Sequence, residues 1–310
     1  MRDAFFNRLY EIAKDDPSVI LIIADTGGFF CKLFKKQLIN VGIAEQNAVG
    51  IAAGLAHGGK RPFLFNMLSF ASFRCYEQTR IDLCCADLPV TIVGTGPGFD
   101  YSTLGVTHHA TEDIAVMRNL PGITILNPSD DVMTKEMVDH CAKSPGLKYL
   151  RLDRTGTPLV YDKKKIIDIE KGFYVHRKGE DLCIIATGRM VTRALELSKL
   201  LSRRGVISGV IDLFRIKPIR EGALCKALAP YKHIVTIEEH FVTGGIGSVV
   251  LEVLSNNAQS KQVIRLGIPD KFCRVYGNRS YLHKYNGLDL ASLENSIMEK
   301  LGSSALLIPF

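Results

Sequence analysis

Hydrophobic residues recur along the first half of the chain in an alternating order of helical and strand-like patterns. Residues 3–14 carry apolar side chains at helical spacing, and the run VILIIA at 19–24 is continuously apolar, which predicts a helix and then a buried strand. A helix of small residues is predicted from about 43 to 57, and the alternation continues to the strand LKYLRL, which ends at Leu152. Apolar strands separated by helices are typical of a parallel sheet covered on both faces.

A second series of the same kind follows in the C-terminal part. The runs LCIIATG, GVISGVIDL, HIVTIEEH and VIRLGI alternate there with helical patterns. The intervening segment contains glycine, proline and a lysine run and has weaker periodicity, which indicates a linker. We therefore predict an α/β fold of two domains, each a mostly parallel sheet with helices on both faces. The predicted boundaries are residues 1–160, a linker at 161–178, and residues 179–310.

Composition narrows the functional classes. Of 310 residues, 46% are hydrophobic and 23% are charged, as in globular proteins that bury ordinary cores. The net charge of +7 is compatible with an anionic substrate, but the only dense basic run, at 163–165, lacks an aromatic platform, so no nucleic-acid partner is predicted. Eight scattered cysteines indicate reduced thiols rather than a disulfide framework or a zinc site. No secretory signal or membrane-length apolar run is present, which predicts a cytoplasmic protein without a membrane partner.

The helix predicted at 43–57 carries one acidic residue on an otherwise apolar face. Glu45 shares that face with Val49 and three alanines. Burial there would raise the pKa of the carboxyl group, and a buried acid suits proton exchange with a nitrogen heterocycle. Two other interpretations stay open: Glu45 stabilises the dipole at the helix start, or it faces solvent beside Gln46 and Asn47.

Other polar residues are further candidates. Asp25 follows the first predicted strand, at the sheet edge where α/β proteins bind ligands, although it could equally cap the loop DTGG. His108 and His109 are neighbours in sequence and point in different directions, so no shared metal is predicted, and either could be a core or surface histidine. The glycine cluster GTGPGF lacks the spacing of a dinucleotide loop and opens no helix.

Linked motifs along essentially the whole chain resemble one enzyme family. The segments NVGIAEQNAVGIAAGLAHGG, SFRCYEQTRIDL, GVTHHATEDIA and LRLDRTGTP, in this order and spacing, resemble the pyrimidine-binding domain of transketolase-type thiamine diphosphate enzymes. The segments IATGRMVTRALELSKLL, TIEEHFVTGGIGSVVLEVL and LGIPDKF resemble the C-terminal domain of the same enzymes. GIAEQN together with THHATEDIA is most similar to the C-terminal subunit of split transketolases.

The resemblance implies a cofactor site for thiamine diphosphate. Glu45 corresponds to the glutamate that hydrogen-bonds the aminopyrimidine and starts cofactor activation, a role that calls for a pKa well above that of a free glutamate. Asp25 resembles the family's aspartate near the thiazolium ring. Phe70 and Phe73 are similar to the aromatic residues of the pyrimidine pocket, although either ring could belong to the core.

The resemblance also implies substrate-binding residues. His108 corresponds to the histidine that contacts the donor's hydroxyl groups and assists catalysis, and His109 is the less certain second candidate. Arg154 resembles the arginine that binds the acceptor's phosphate, although it could also be a surface residue that opens the linker. Three departures from the family pattern affect the acceptor site and indicate an unphosphorylated or unusual acceptor: Gly96, Leu104 and Val106.

One half of the family's active site is missing from the sequence. The GDG motif that binds magnesium and the diphosphate is absent, so the resemblance implies a partner: an N-terminal subunit that carries this motif and holds Mg²⁺. We predict the C-terminal subunit of a two-component transketolase, a glycolaldehyde transferase assembled as a heterotetramer. It would transfer a two-carbon ketol unit from a ketose or ketose phosphate to an aldose. The alternatives are a subunit of a deoxyxylulose phosphate synthase-like or 2-oxoacid dehydrogenase-type enzyme, and a non-catalytic regulatory subunit.

Overall fold

Two β-sheets organise the chain in the computed structural model, which describes residues 1–26, 28–162 and 167–305. The lysine run at 163–165 lies outside the described residues. The strands are β1 (Val19–Ile23), β2 (Leu38–Asn40), β3 (Arg61–Met67), β4 (Thr91–Thr95), β5 (Thr124–Leu126), β6 (Lys148–Leu152), β7 (Tyr174–Arg177), β8 (Leu182–Ala186), β9 (Ser208–Asp212), β10 (Arg215–Lys217), β11 (His233–Phe241) and β12 (Gln262–Ile268).

The strand order places both sheets in the mostly parallel class. The first sheet has the order β10-β5-β6-β4-β3-β1-β2, and the second has the order β12-β11-β8-β9-β7. Among the strands of the described residues, only the edge strands β10 and β7 pair antiparallel with their neighbours. The interior strands β1, β4 and β8 are mostly apolar and fully buried, as the continuous apolar runs predict. The predicted fold of two α/β domains is therefore confirmed.

Helices cover both faces of these sheets. They are α1 (Arg2–Asp15), α2 (Glu45–His57), α3 (Tyr76–Gln78), α4 (Asp113–Met117), α5 (Asp131–Lys143), α6 (Met190–Arg203), α7 (Glu221–Leu228), α8 (Ile246–Asn256), α9 (Arg279–Tyr285) and α10 (Leu290–Ala305). Wide helical turns at Phe70–Arg74 and Thr79–Cys84 flank α3. None of the helices in the described ranges is long and apolar enough to span a membrane.

Two short edge strands do not follow the predicted division of the chain. Strand β10 comes from the second half but extends the first sheet, where Arg215 lies opposite Leu126 on β5. Strand β7 lies within the segment predicted as a linker and pairs with β9. Both are short edge strands whose pairing is formed between distant segments, so local periodicity gives little signal for them.

A buried arginine joins the two domains. Arg279, at the start of α9, donates hydrogen bonds to Glu239 on β11 and to Asp153, which follows β6. Its guanidinium also lies 3.3 Å from a carboxylate oxygen of Asp100. The Asn127 side chain donates a second interdomain hydrogen bond, of 2.9 Å, to the Thr187 hydroxyl. These polar contacts fix the loops that follow β4 and β6 against the second domain.

Candidate functional site

Glu45 is the first residue of α2, and its side chain is only 4% exposed. Its Oε2 atom accepts a hydrogen bond of 2.8 Å from Nη1 of Arg74. Burial raises the pKa of Glu45, but the hydrogen bond and charge of Arg74, together with a hydrogen bond from the backbone and the nearby Asn66 amide, outweigh burial and hold this pKa below that of an ordinary glutamate. The sequence-based expectation of a raised pKa is therefore wrong for the chain by itself, because it counted burial and missed the arginine.

Arg74 connects Glu45 to the aromatic part of the site. Its guanidinium lies over the Phe70 ring, 4.4 Å from the ring centroid. Arg74 is four residues after Phe70, a spacing at which side chains meet on one helical face. The carboxylate, the guanidinium and the ring thus form one unit, stabilised by an ion pair and a cation–π contact.

His108 also contacts Phe70. The two ring centroids are 5.2 Å apart in an edge-to-face arrangement. Nδ1 of His108 is 2.9 Å from the Thr107 hydroxyl, and partial burial lowers the pKa of the imidazole. A neutral imidazole can both donate and accept hydrogen bonds, which suits contact with the hydroxyl groups of a sugar.

Tyr101 extends the line of contacts to Arg154. Its ring centroid is 5.9 Å from that of His108, and the Arg154 guanidinium lies 4.8 Å from the Tyr101 centroid. The backbone N–H of Arg154 donates a hydrogen bond of 2.6 Å to Asp100, which fixes the start of this exposed loop. Contacts therefore run without a break from the buried carboxylate of Glu45 to the guanidinium of Arg154.

Asp25 lies at the edge of the same region. It follows β1 with a positive φ of 52°, and its N–H donates a hydrogen bond of 3.1 Å to the side chain of Asn40. Asp25 is exposed and, with Phe65 and Tyr101, lines a cavity of about 320 Å³. Because Tyr101 also contacts His108 and Arg154, the structure places Asp25 beside the line of contacts.

Phe73 and His109 do not join this line of contacts. Phe73 is half-buried, and no ring contact within the described residues involves it. His109 is buried with its ring 5.0 Å from that of Phe99, and burial lowers its pKa. Nε2 of His109 is buried without a hydrogen-bond partner among the described residues. The adjacent histidines therefore lie in different environments, one half-exposed and one in the interior.

The polar groups near Glu45 fit an aminopyrimidine ring. Asn66, at the end of β3, lies close enough to Glu45 to help lower its pKa, yet its Nδ2 atom is buried without a normal hydrogen bond among the described residues. The hydroxyl of Ser69 is likewise buried and unpartnered in this part of the chain. A carboxylate, an amide and a half-buried aromatic ring are the kinds of group that bind the edge and face of a nitrogen heterocycle.

Two residues of the line of contacts, Arg74 and Tyr101, were missed in the sequence analysis, as was Asn66 beside Glu45. Arg74 carried a usable signal, since its spacing from Phe70 predicts a contact on one helical face. Tyr101 lies in the loop after β4, where no periodicity exists, and its approach to His108 depends on a turn at Gly96. Gly96 has a φ of +95°, and a Cβ atom there would lie 2.2 Å from the Tyr101 ring.

Comparisons with known proteins agree with this architecture. Residues 1–158 match the family described as the pyrimidine binding domain of transketolase, and residues 172–293 match the transketolase C-terminal domain. A putative transketolase C-terminal section of Methanocaldococcus jannaschii is 36% identical over 97% of this chain and 96% of that protein. One of the separate subunits of an apulose-4-phosphate transketolase of Phocaeicola vulgatus is also 36% identical, over 96% of each chain.

A solved structure and a second class of relatives complete the comparison. The structure, described as a split gene transketolase in an inactive beta4 tetramer, is 34% identical, covers 96% of each chain and superposes with a TM-score of 0.85. Several 1-deoxy-D-xylulose-5-phosphate synthases, among them that of Caldanaerobacter subterraneus subsp. tengcongensis, match at 31% to 35% identity, but this chain covers only 43% to 48% of their length. Both domains of this chain match the transketolase family, and relatives that are named as a subunit or a C-terminal section match it over nearly their full length. This chain therefore belongs to the transketolase family.

Proposed function

We propose that this chain is the C-terminal subunit of a two-component transketolase that transfers a two-carbon ketol unit from a ketose or ketose phosphate to an aldose. Relatives that are themselves named as subunits or C-terminal sections match it over nearly their full length, which supports the subunit role. The single observation that carries the proposal is the buried carboxylate of Glu45 at a helix start, joined through Arg74 and Phe70 to His108.

We propose that the pyrimidine end of thiamine diphosphate binds at Glu45 and Phe70, where it would displace the Arg74 guanidinium that contacts both residues in this structure. The Asn66 amide would donate a hydrogen bond at the ring edge, and Asp25 would lie toward the thiazolium. When bound, the cofactor supplies a nucleophilic carbon that carries the ketol unit. Its diphosphate and Mg²⁺ would be held by an N-terminal subunit with a GDG motif, because this sequence contains no such motif. A heterotetramer is the assembly we expect.

Residues of this chain would perform the remaining roles in the reaction. Glu45 holds a proton at the pyrimidine edge, and this requires that its carboxylate leave the ion pair with Arg74. His108 hydrogen-bonds the hydroxyl groups of the donor sugar through a neutral imidazole. Phe70 excludes water from the ring face. Arg154 binds an anionic group of the acceptor, a task for which its permanently charged guanidinium is suited.

Replacement of Glu45 by glutamine tests this assignment. Glu45→Gln keeps the size and a hydrogen-bond acceptor but cannot exchange the proton, so ketol transfer with the copurified partner should fall by about 100-fold or more. Glu77→Gln on the neighbouring short helix is the matched control, since Glu77 is exposed there. Transfer by Glu45→Gln at near wild-type rate, with assembly intact, would contradict the catalytic assignment.

The same assay separates the alternatives. Pyruvate decarboxylation without ketol transfer would favour a synthase-like or dehydrogenase-like subunit. A partner that is fully active without this chain would favour a regulatory subunit. Tagged chain purified from its native source should carry a GDG-bearing subunit, and activity should require both polypeptides. Elution without such a partner would count against the two-component proposal.

A further inference from the structure

One loop of the first domain carries both Tyr101 and His108. It consists of residues 98–110, between β4 and α4. At its base, the N–H of Gly98 donates a hydrogen bond of 2.9 Å to the carbonyl of Ala110, and the N–H of Ala110 donates one of 3.1 Å to the carbonyl of Gly98. The backbone therefore closes the loop at its base, whereas the position of its tip depends on what packs against it.

The second domain holds the base of this loop through the end of β11. Oε1 of Glu239 accepts a hydrogen bond of 3.1 Å from the N–H of Phe99. Gly98 lies so close that a Cβ atom there would be 2.5 Å from the Glu239 side chain. The N–H of Phe241 donates a hydrogen bond of 2.7 Å to the carbonyl of Thr111, just after the loop. Both ends of the loop are thus fixed to one strand of the second domain.

His109 supports the loop from inside. Its ring is buried, with its centroid 5.0 Å from that of the Phe99 ring. Burial lowers the pKa of the imidazole, and a hydrogen bond with the backbone of Ser102 opposes this effect. These contacts join the two sides of the loop, so its base and interior are well packed.

The tip of the loop packs against Tyr276, which lies between β12 and α9 in the second domain. A Cβ atom at Gly105 would be 2.6 Å from the Tyr276 ring, so a side chain would fit there only if the ring moved. Gly105 also has a φ of +74°, which favours glycine. The carbonyl of Gly105 accepts hydrogen bonds from the N–H of His108, at 3.0 Å, and of His109, at 3.1 Å. One residue thus separates the Tyr276 ring from the backbone that carries the His108 imidazole.

Tyr276 is itself held in place, although it belongs to no core. Its side chain is 68% exposed, so its burial contributes little to folding. The next residue, Gly277, lies so close to the Tyr281 ring that a Cβ atom there would be 2.5 Å from it. The Asn278 side chain accepts a hydrogen bond of 2.8 Å from the N–H of Tyr281 at the start of α9. The Tyr276 ring is therefore a fixed support for the loop tip.

We infer that Tyr276 of the second domain is a positioning residue for His108 and acts through the contact of its ring with Gly105. The inference rests on the proposed function, because that function makes His108 a residue that binds the donor sugar. The ring limits the movement of the loop tip, and the two hydrogen bonds to the Gly105 carbonyl pass this restraint to His108. Displacement of a substrate-binding group by about 1 Å reduces turnover by up to about 100-fold.

Hydrogen–deuterium exchange of the chain alone tests the positioning without any catalytic readout. Tyr276→Ala should accelerate the exchange of the two N–H groups that bond to the Gly105 carbonyl by about tenfold, because the loop tip loses its support. Tyr276→Phe keeps the ring and should exchange at the wild-type rate. Tyr285→Ala is the matched control, since Tyr285 is also an exposed tyrosine of the second domain and its ring lies over the ammonium group of Lys271.

Kinetics of the assembled two-component enzyme test the consequence for His108. Tyr276→Ala should lower kcat for ketol transfer about tenfold and leave KM for the acceptor aldose unchanged. Tyr276→Phe and Tyr285→Ala should keep the wild-type kcat. The two alanine variants should have the same midpoint of urea unfolding, because both side chains are exposed.

Three results would overturn the inference. The first is wild-type exchange of the 98–110 loop in Tyr276→Ala, and the second is an equal acceleration in Tyr285→Ala. The third is a loss of kcat in Tyr276→Phe as large as that in Tyr276→Ala, which would mean that the phenol group acts on the substrate directly. Absence of transfer by the wild-type complex would refute only the proposed function, because the exchange measurement does not depend on transfer.

Discussion

Asp212, at the end of β9, is a buried carboxylate whose ionisation should make the stability of the chain depend on pH. Its Oδ2 atom accepts hydrogen bonds from the Ser129 hydroxyl and, at 2.8 Å, from the Tyr161 hydroxyl. Its Oδ1 atom is buried with no hydrogen-bond partner in the described part of the chain. Burial raises the pKa of Asp212 to about 7, since the two hydroxyl donors offset only part of the lost hydration.

The sign of the effect follows from comparing the folded and unfolded chains. An aspartate in the unfolded chain has a pKa of about 3.9, so the folded chain binds one extra proton between roughly pH 4 and pH 7. The contribution of Asp212 to stability is therefore greatest below this range and falls as the pH rises, by about 1.4 kcal/mol for each pH unit. Once Asp212 is fully ionised, at about pH 8, its charge costs about 4 kcal/mol of unfolding free energy.

Asp212→Asn isolates this cost. The asparagine keeps an oxygen for the two hydroxyl donors, places an NH₂ group at the oxygen that lacks a partner, and cannot ionise. We expect the variant to exceed the unfolding free energy of the wild-type chain by about 1.5 kcal/mol at pH 5 and by about 4 kcal/mol at pH 8. Urea unfolding followed by circular dichroism at both pH values measures the difference.

A surface aspartate supplies the control for this experiment. Asp270→Asn changes an exposed carboxylate and should leave the pH dependence unchanged. The reasoning would be refuted if Asp212→Asn gave the same difference at pH 5 and pH 8. It would also be refuted by a loss of stability at pH 8, since that would mean that the ionised carboxylate contributes favourable interactions.

Two further predictions concern arginines. Arg279→Leu leaves three buried carboxylates without their shared cation and should lower the unfolding free energy by about 3 to 5 kcal/mol. The control Arg204→Leu breaks an exposed ion pair and should lower it by about 1 kcal/mol or less. Equal losses of unfolding free energy for the two variants in urea would contradict the interdomain role of Arg279. Arg74→Gln should raise the pKa of Glu45, because burial then acts without the opposing charge of the arginine. The ¹³C chemical shift of the Glu45 carboxyl group, assigned by comparison with Glu45→Gln, should then titrate at a higher pH. An unchanged titration midpoint would exclude Arg74 as the cause of the lowered pKa.

The helix that carries Glu45 shows how much of the site a local sequence pattern can predict. Its apolar face of alanines and Val49 predicted the helix, which the structure confirms, but left burial of the glutamate as one of three interpretations; the structure shows the side chain buried at the helix start. The direction of the pKa shift was wrong because it depends on Arg74, which lies 29 residues later in the chain. Burial follows from the face of one helix, whereas the charge that offsets burial comes from another element.

The candidate substrate residues also show what the sequence predicts and what only the fold decides. The motif around His108 and His109 identified the segment, but their spacing could not say which ring would be half-exposed and which would lie in the interior. The loop geometry decided this, with His108 between Phe70 and Tyr101 and His109 against Phe99. A loop has no periodicity from which the direction of its side chains could be read.

The sequence by itself determined the two parallel sheets, the helices between their strands and the family, because continuous apolar runs and linked motifs are properties of neighbouring residues. Only the tertiary structure decided that Arg74 pairs with Glu45 and that Arg279 joins the domains. The physical reason is that charge interactions depend on distances in space, and the partners here come from segments that are far apart along the chain.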